Sequence, residues 1–565
     1  MKTINLADMG IHPGTDISGP MNELFAKNPR DTTFVLVPGV YHLHAKNAAG
    51  FSASLSNSDQ LPVLKAGLPL KNMRNIRLIG HGATLLCHGE LSPLAILDSD
   101  TITAEGLTID FSPAFNGEGV ILAASPRQAD VAVDNQTYPY QIDDGRLSFY
   151  NGEGYVPYFG AIEFEALSRR TAYRTGDRFR SDRQEEIAPG VIRFHGKFDP
   201  VPTVGNLLTL RYSRRVHPGV LVHNCGNVSL SDITLHNTCG LGVLGQFSHD
   251  LRFSRIVMRP NEAAGRRVVS GHDDGLHLSN NFGGIEVDGC YFHGLMDDPV
   301  NVHGTALRIR RITDGQAVEA EFAHGQSSAF PLWAQPGHSV SFIERKSMRS
   351  LGTAGVKSFR LLEGKRCALT FDGALPAGVT PGDALENLTH TPQVTIQNSY
   401  FGSCRARGVL VSTPKPVVIR DNVFESSGSA ILIPGDANSW YESGACRDVL
   451  IENNHFTDGC LVSMYQFCEG VVSICPQIPR PDPSTPFHRN IRIVNNTFHM
   501  FDAPVLYALS TQGLEFTGNT IVRSRAYAPW HPRRYMATLK ACTDVAIKNN
   551  RFVGDPCSTE VLDES

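Results

Sequence analysis

Short segments with hydrophobic residues at every second position recur along the chain, and each is followed by a turn containing Asn or Asp-Asn. One copy, VTIQNSYFGS at 394–403, shows the alternation and the aromatic residue after the turn. Strands of about three to five residues with this alternation suit a coil that turns three times per rung, with one set of side chains inside. Closely spaced copies are a little over twenty residues apart. The copies occupy 227–238, 251–258, 285–294, 394–403, 417–426, 449–458, 491–500, 514–523 and 545–554.

This recurrence predicts an all-β fold, a right-handed parallel β-helix. A helical repeat is excluded because the apolar period is near two, whereas an antiparallel sandwich stays open as an alternative. Asn at equivalent points of successive rungs tolerates left-handed backbone, and we expect it to form a stacked ladder. Residues 19–25 read as a short helix that caps the first rung and keeps the coil from stacking on itself.

Two segments interrupt the repeat, so the chain divides into five parts. Alternating strands and charged turns fill the first interruption, and short strands with Gly/Pro turns fill the second, which predicts a small inserted β-barrel or sandwich domain. The predicted parts are N-terminal rungs with the cap helix at 1–111, a β-rich insertion at 112–215, central rungs at 216–305, the barrel-like domain at 306–391, and C-terminal rungs at 392–565.

Composition excludes several classes of protein. The net charge of −5 and the lack of any Lys/Arg run argue against nucleic-acid binding. The sequence contains no stretch of eighteen or more apolar residues, so it predicts no membrane-spanning helix. The twelve cysteines are scattered without a CxxC pair, and we interpret most of them as buried free thiols rather than zinc ligands or a disulfide framework.

The first seven residues lack the apolar core of a secretory signal. Two alternatives stay open: a cytoplasmic protein, or a secreted or bacterial-envelope protein whose signal peptide is absent from this chain. The sequence also leaves the oligomeric state open, a homo-oligomer included.

Two acidic stretches, SGHDDGLHLSNN at 270–281 and GLMDDPVNVHG at 294–304, carry the candidate chemistry. From Asp274 to Asp297 is twenty-three positions, close to one rung. Residues one rung apart stack at about 4.8 Å, so Asp274 should lie beside Asp297 and Asp298 in the neighbouring coil. Carboxylates crowded in this way cannot all ionise easily, and at least one pKa should be raised. A raised carboxylic acid beside ionised ones is what glycosidases need.

Other interpretations of the acidic pairs are solvated turns and a calcium site. Hard-oxygen coordination fits poorly with the neighbouring His272 and His303, so we predict neither a metal nor another cofactor. Asp273 should support the site or bind a sugar hydroxyl, because adjacent strand residues face opposite ways.

The stretches at 272–280, 294–304, 405–413 and 435–449, taken together and in order, resemble glycoside hydrolase family 110. That family consists of inverting exo-α-1,3-galactosidases on a right-handed β-helix with an inserted β-barrel. An Asp followed one coil later by Asp-Asp also resembles the family 28 polygalacturonases. The resemblance implies that Asp297 is the general acid and that Asp274 and Asp298 hold and deprotonate the attacking water. It implies galactose-terminated oligosaccharides or glycoproteins as partners, with branched blood-group-B-type and linear substrates both open.

Trp440 lies in a polar loop, where a ring suits the apolar face of galactose better than core packing. Some of the other candidates could have a purely structural role instead. The arginines could form salt bridges between rungs, the histidines could satisfy buried hydrogen bonds, and the asparagine could belong to the ladder. The remaining candidate substrate-binding residues are His277, Asn301, His303, Arg405, Arg407, Asp436 and Glu442.

Two other functions stay open. A polysaccharide lyase on the same fold would need a Lys or Arg base near the acidic motifs, and usually calcium. A non-catalytic glycan-binding β-helix would explain the repeats and Trp440 but leaves crowded acids without a purpose. A role in glycan degradation would place the protein outside the cytoplasm or in a bacterial envelope, by analogy.

Overall fold

A computed structural model describes residues 1–463 and 465–565, and its main body is a parallel β-helix. Each coil contributes a strand to each of three faces, as Leu276–Ser279, Phe282–Asp288 and Tyr291–Phe292 do in one central coil. We call these face 3, face 1 and face 2 respectively. Successive strands within each face pair in parallel, apart from one antiparallel pair at the start of face 3. The parallel β-helix expected from the repeats is confirmed.

The strands of the three faces have the following bounds. Face 1 contains Lys2–Asn5, Arg30–Val35, Arg74–His88, Asp100–Phe111, Gly226–Ser231, His249–Ser254, Phe282–Asp288, Gln393–Gln397, Val417–Arg420, Val449–Glu452, His488–Val494, Thr511–Thr517 and Thr543–Lys548. Face 2 contains Gly39–His44, the second halves of Arg74–His88 and Asp100–Phe111, Thr234–Leu235, Val257–Met258, Tyr291–Phe292, Tyr400–Phe401, Val423–Phe424, His455–Phe456, Thr497–Met500, Thr520–Arg523 and Arg551–Val553. Face 3 contains Ala49–Phe51, Leu64–Lys71, Ser92–Leu97, Val220–His223, Val243–Gln246, Leu276–Ser279, Val300–Thr305, Val409–Val411, Ile431–Ile433, Val472–Ile474, Leu506–Leu509, Ala537–Lys540 and Val561–Glu564.

The alternation in sequence becomes an alternation in burial on face 1. In Gln393–Gln397 the side chains of Val394 and Ile396 are fully buried inside the coil, and their neighbours point outward. Strands of face 3 near the middle differ, because Leu276–Ser279 is buried on both sides. Other parts of the chain therefore cover the outer surface of face 3 there.

Equivalent side chains stack from coil to coil, as the repeated Asn predicted. The backbone and side-chain N–H groups of Asn422 both donate to Asn454 Oδ1 at 3.0 Å, and Asn454 donates to Asn496 in the same way. The preceding residue, Asn453 for example, takes the left-handed conformation, with φ 55°. Each buried amide thus satisfies the next, so the turn between faces 1 and 2 has its buried polar groups hydrogen-bonded.

The N-terminal end is closed by a helix at Ser18–Phe25, and the cap helix expected at 19–25 is confirmed. Met21 and Phe25 are buried in the same core as the first coils. All twelve cysteines are free and only Cys557 is exposed, in agreement with the expectation of buried thiols. Short 3-10 helices lie at Leu6–Met9, Ala45–Asn47, Gly176–Arg178 and Glu262–Ala264. No helix in the described part of the chain is long and apolar enough to cross a membrane.

Two further sheet structures interrupt the coils. Between face-2 strand Asp100–Phe111 and face-3 strand Val220–His223, the chain forms a six-stranded and a three-stranded antiparallel sheet. Between Val300–Thr305 and Gln393–Gln397 it forms a closed six-stranded barrel. The strands of the first insertion are Asn116–Ala124, Gln128–Val133, Tyr140–Asp143, Arg146–Tyr150, Tyr155–Pro157, Gly160–Phe164, Ser181–Ala188, Val191–Gly196 and Leu207–Arg211. Those of the barrel are Leu307–Asp314, Ala317–Glu321, Ser339–Ile343, Ser350–Leu361, Arg366–Phe371 and Ala384–Asn387.

Candidate active site

The two acidic motifs lie in the turns that lead into neighbouring strands of face 3. Leu276 pairs with Val300, which sets Asp274 beside Asp298 rather than beside Asp297. The backbone N–H of Gly275 donates to the carbonyl of Asp298 at 2.9 Å and holds the two turns in this register. The rung is therefore one residue longer here than the Asp274–Asp297 spacing, and Asp273 is the partner of Asp297.

Arg215 lies at the centre of the acidic cluster. Its Nη2 is 2.8 Å from Asp273 Oδ1, 2.8 Å from Asp297 Oδ2 and 3.8 Å from Asp274 Oδ1. The residue comes just after Leu207–Arg211, the last strand of the first insertion, so the insertion supplies the cation that the coil's own strands lack. A buried carboxylate without such a partner would be costly, and one guanidinium serves three carboxylates.

A second guanidinium fixes the third catalytic candidate. Arg407 Nε and Nη2 approach Asp298 Oδ1 and Oδ2 at 2.9 and 2.6 Å, and the backbone N–H of Arg407 donates to Oδ1 at 2.9 Å. Arg405 instead binds Asp177 of the first insertion at 2.7 and 2.5 Å. The ring of Tyr465 lies against both guanidinium groups, at 4.4 and 4.9 Å from its centroid.

The four aspartates divide into two with raised and two with lowered pKa values. Burial and the neighbouring Asp297 carboxylate raise the pKa of Asp274 well above its usual range, as the crowding argument predicted. Burial likewise raises the pKa of Asp298 to about 6, although Arg407 opposes the shift. For Asp297, burial is outweighed by nearby guanidinium groups, Arg215 foremost, and its pKa is lowered. For Asp273, burial is outweighed by Arg215 and His272, and its pKa is also lowered.

His277 and His303, which were predicted to bind substrate, stand behind Asp274 and do not line the cavity. His277 Nδ1 is 2.7 Å from Asp274 Oδ2, and the two histidines face each other with 3.0 Å between their Nε2 atoms. His303 Nδ1 is 2.8 Å from the Gly304 carbonyl oxygen. Both side chains are fully buried and their ring nitrogens are already hydrogen-bonded.

Asp273 and Arg405 are also held away from the cavity wall, and the structure does not support direct sugar binding by either. Asp273 is bound on one side by Arg215 and on the other by His272 Nδ1 at 2.7 Å. Arg405 is occupied by Asp177, and its closest approach to Asp297 is 3.8 Å. Both residues therefore support the aspartate cluster through ion pairs and hydrogen bonds, which was the alternative to substrate binding at these positions.

The three catalytic candidates line one cavity. Polar groups that converge on one concave pocket with apolar walls are typical of a small-molecule site. Its walls combine carboxylates, amides and guanidinium groups with apolar and aromatic side chains. The lining residues are Asn57, Arg215, Asp274, Asp297, Asp298, Asn301, Arg407, Leu410, Leu432, Pro434, Asp436, Trp440, Glu442, Tyr465, Gln466, Phe467, Cys475 and Gln477.

One wall of this cavity is the loop that carries Trp440, which follows face-3 strand Ile431–Ile433. The indole ring is partly exposed and packs against His324 of the barrel, with 4.4 Å between ring centroids. Asp436 accepts backbone N–H groups from Asn438 at 2.5 Å, Ser439 at 2.9 Å and Trp440. The carboxylate of Asp436 therefore shapes the loop. It also lines the cavity, and its predicted role as a ligand for hydroxyls stays a prediction.

Glu442 and Asn301 face each other across the cavity floor. Glu442 Oε1 accepts from Asn57 Nδ2 at 2.5 Å, and Asn301 Nδ2 lies 3.5 Å from Glu442 Oε2. Asn301 Oδ1 is buried and has no hydrogen-bond partner among the residues that the structure describes. A buried acceptor left open in a cavity wall suits a ligand hydroxyl.

Among the residues of this region that the sequence analysis missed are Arg215, Asn57, Tyr465 and His324. They come from an insertion end, from the loop before the third coil, from a later coil and from the barrel, and none belongs to the repeated phrase. The one usable signal was charge balance, because four crowded aspartates demand buried cations. That demand identifies a need for arginines without saying which ones.

A parallel β-helix with three carboxylates around one cavity has the groups that an acid/base glycoside hydrolase needs. The family descriptions GLAA-B beta-barrel domain I and domain II match residues 117–208 and 317–385. Alpha-1,3-galactosidase B of Bacteroides thetaiotaomicron is 39% identical over 98% of this chain and 91% of its own length. Alpha-1,3-galactosidase A of Bacteroides fragilis is 35% identical over 89% and 84%. The chain belongs to the α-1,3-galactosidase family, glycoside hydrolase family 110.

Among solved structures, the family 28 exopolygalacturonase of Yersinia enterocolitica aligns over 97% of this chain and 79% of its own, with a TM-score of 0.41 and 10% identity. That likeness is too low to bear on the fold or the function.

Replacing the central guanidinium tests the charge balance of the site. We expect Arg215→Gln to lower the free energy of unfolding at neutral pH by about 3–5 kcal/mol, because it leaves buried carboxylates unpaired. Since the pKa values of Asp273 and Asp297 lie below the ordinary 3.8, their contribution in the wild type is full above that pH and is lost as the pH falls. The difference between variant and wild type should therefore shrink in acid.

Denaturant unfolding at neutral and acidic pH measures this difference. Arg214→Gln is the matched control, because the Arg214 side chain is 58% exposed and its contact with Glu90 is long, at 3.9 Å. Equal losses in the two variants, or a loss for Arg215→Gln that does not change with pH, would contradict the assignment.

Proposed function

We propose that the protein is an exo-acting glycoside hydrolase that removes terminal α-1,3-linked galactose from glycans with inversion and without a metal. The observation that carries the proposal is the convergence of Asp274, Asp297 and Asp298 on one cavity beside an aromatic ring. The relatives named α-1,3-galactosidase, which align over nearly the whole chain, support the sugar and the linkage.

The reaction needs an acid on the leaving-group side and a base on the water side. In the proposed assignment Asp297 gives a proton to the glycosidic oxygen as its bond to the anomeric carbon breaks. A water held by Asp274 and Asp298 attacks that carbon from the opposite face and loses a proton to them. Arg407, bound to both oxygens of Asp298, fixes the direction in which this carboxylate faces the water.

The resting site and this assignment place the proton on different carboxylates. Arg215 and its neighbours favour an ionised Asp297, whereas burial favours a protonated Asp274. Asp297 must therefore take up a proton when substrate binds, and Asp274 must lose one. Exclusion of water by the bound sugar favours proton uptake by Asp297, because desolvation favours the neutral carboxylic acid.

The galactose itself would be bound by groups already present on the cavity wall. The Trp440 ring offers a platform for the apolar face of the sugar. Asn301 Oδ1, which has no hydrogen-bond partner in the described part of the chain, and Glu442 offer acceptors for its hydroxyls. Galactose-terminated oligosaccharides or glycoproteins are the proposed partners, and a secreted or bacterial-envelope location fits such substrates.

Release of galactose from a panel of α-linked galactosides tests the proposal. We expect the wild type to free galactose from α-1,3-linked substrates, branched or linear, and to do so equally after prolonged treatment with EDTA. Loss of activity on chelation, restored by calcium, would contradict the metal-free mechanism. Binding of the same glycans without any release would point to a glycan-binding β-helix, and unsaturated uronate products would point to a lyase.

Leaving-group dependence tests which aspartate is the acid. Asp297→Asn should reduce turnover of natural disaccharides by roughly 10²–10⁴-fold, because general acid catalysis contributes about that much. An aryl galactoside with an activated leaving group needs no proton and should lose much less. Asp274→Asn is the matched comparison and should reduce turnover of both substrates alike. The reverse pattern would make Asp274 the acid, as the resting protonation favours.

A further inference from the structure

A line of hydrogen bonds runs from Asp274 away from the cavity and ends on a backbone carbonyl. Its links are Asp274 Oδ2 to His277 Nδ1 at 2.7 Å, His277 Nε2 to His303 Nε2 at 3.0 Å, and His303 Nδ1 to the Gly304 oxygen at 2.8 Å. Neither imidazole reaches the cavity. Sugar binding therefore does not account for this pair of buried rings.

The carbonyl at the end of the line fixes where the protons sit. A carbonyl oxygen only accepts, so His303 carries a proton on Nδ1, and in its neutral form Nε2 is an acceptor. His277 must then donate from Nε2, which leaves its Nδ1 as an acceptor. With both rings neutral, the remaining bond is satisfied only when Asp274 donates an O–H to His277.

A second arrangement satisfies the same three bonds with the same number of protons. The Asp274 proton passes to His277 Nδ1 as the His277 Nε2 proton passes to His303 Nε2. Asp274 then becomes a carboxylate that accepts from His277, and His303 becomes an imidazolium. Glu442 Oε1, 3.9 Å from His303 Nε2, stabilises that positive charge.

We propose that His277 and His303 are positioning residues that act as a proton relay, through which Asp274 becomes a base without releasing its proton to solvent. The inference rests on the proposed function, because it explains how a carboxylic acid that is protonated at rest serves on the water side. After the attacking water has given its proton to Asp274, the line of hydrogen bonds holds one proton more than at rest. The site resets when Asp274 releases that proton to water in the cavity, as His303 returns its Nε2 proton to His277 and His277 returns its Nδ1 proton to Asp274. The titratable and charged groups that face Asp274 are Arg215, Asp273, His277, Asp297, Asp298 and Glu442, and those that face His303 are His277 and Glu442.

The pH dependence of kcat/KM tests the relay. In the wild type the ionised Asp274 exists without net loss of a proton, whereas in His303→Gln it forms only when a proton leaves the cluster. We therefore expect the acid limb of the His303→Gln profile to move upward by about one pH unit or more, a roughly tenfold loss on that limb. At the top of the profile the loss should be smaller.

His531→Gln is the matched control for this experiment. His531 is fully buried and its Nε2 lies 2.9 Å from the Cys468 carbonyl oxygen, but it is not part of the relay or of the cavity wall. Its acid limb should coincide with that of the wild type. Coinciding acid limbs for His303→Gln and the wild type would overturn the relay.

Nitrogen-15 NMR of histidine-labelled wild type provides a test that needs no variant to be active. At neutral pH we expect His277 to be protonated on Nε2 alone and His303 on Nδ1 alone, with signals assigned by their loss in His277→Gln and His303→Gln. A resting His277 with its proton on Nδ1 would overturn the proposal. A wild type that releases no galactose would sink the proposed function, and the tautomers would still decide the relay.

Discussion

The site depends on the ion pairs between buried aspartates and the guanidinium groups of Arg215 and Arg407. Arg215 compensates Asp273 and Asp297, and Arg407 compensates Asp298, each at hydrogen-bonding distance. Asp274, 3.8 Å from Arg215, has the weakest compensation, and burial raises its pKa well above the usual range. Unequal access to positive charge therefore turns four chemically identical side chains into groups with different pKa values.

This distribution of charge explains why the interruptions of the coil are part of the active site. The first insertion ends at Arg215 and also provides Asp177, which binds Arg405. The barrel places His324 against Trp440. A plain β-helix would supply the aspartates, Arg405 and Arg407, and it would leave Asp273 and Asp297 without Arg215. The coil thus sets the spacing of the acids, and the insertions complete their environment.

The sequence was sufficient for the features that repeat. Alternation and the recurrent Asn predicted the coil and its amide ladder, and the spacing of the two acidic motifs predicted their meeting in adjacent coils. The sequence did not predict the exact register of the two coils. One additional residue in the turn places Asp298, and not Asp297, beside Asp274.

The sequence was insufficient where the environment of a side chain comes from distant segments. Asn57 and Arg215 reach the site along paths that no period encodes. Histidine is a residue type that often binds ligands, but His277 and His303 are buried behind Asp274. Their position follows from three-dimensional packing and cannot be read from the residue type. Asp436 lines the cavity, but its second role, in which the carboxylate accepts backbone N–H groups of the tight turn before Trp440, depends on the local chain geometry and not on a sequence pattern.

The stereochemistry of the first product tests the account most directly. If Asp274 and Asp298 hold a water, no galactosyl-enzyme forms and hydrolysis of an α-galactoside gives β-galactose first. Such a water needs carboxyl groups about 6.5–9.5 Å apart, whereas a retaining nucleophile would lie about 5–5.5 Å from the acid. Proton NMR of the fresh reaction in deuterated water, recorded before mutarotation, distinguishes the two. An initial β-anomer signal is the predicted result, and an initial α-anomer signal would contradict the water-holding role of Asp274 and Asp298.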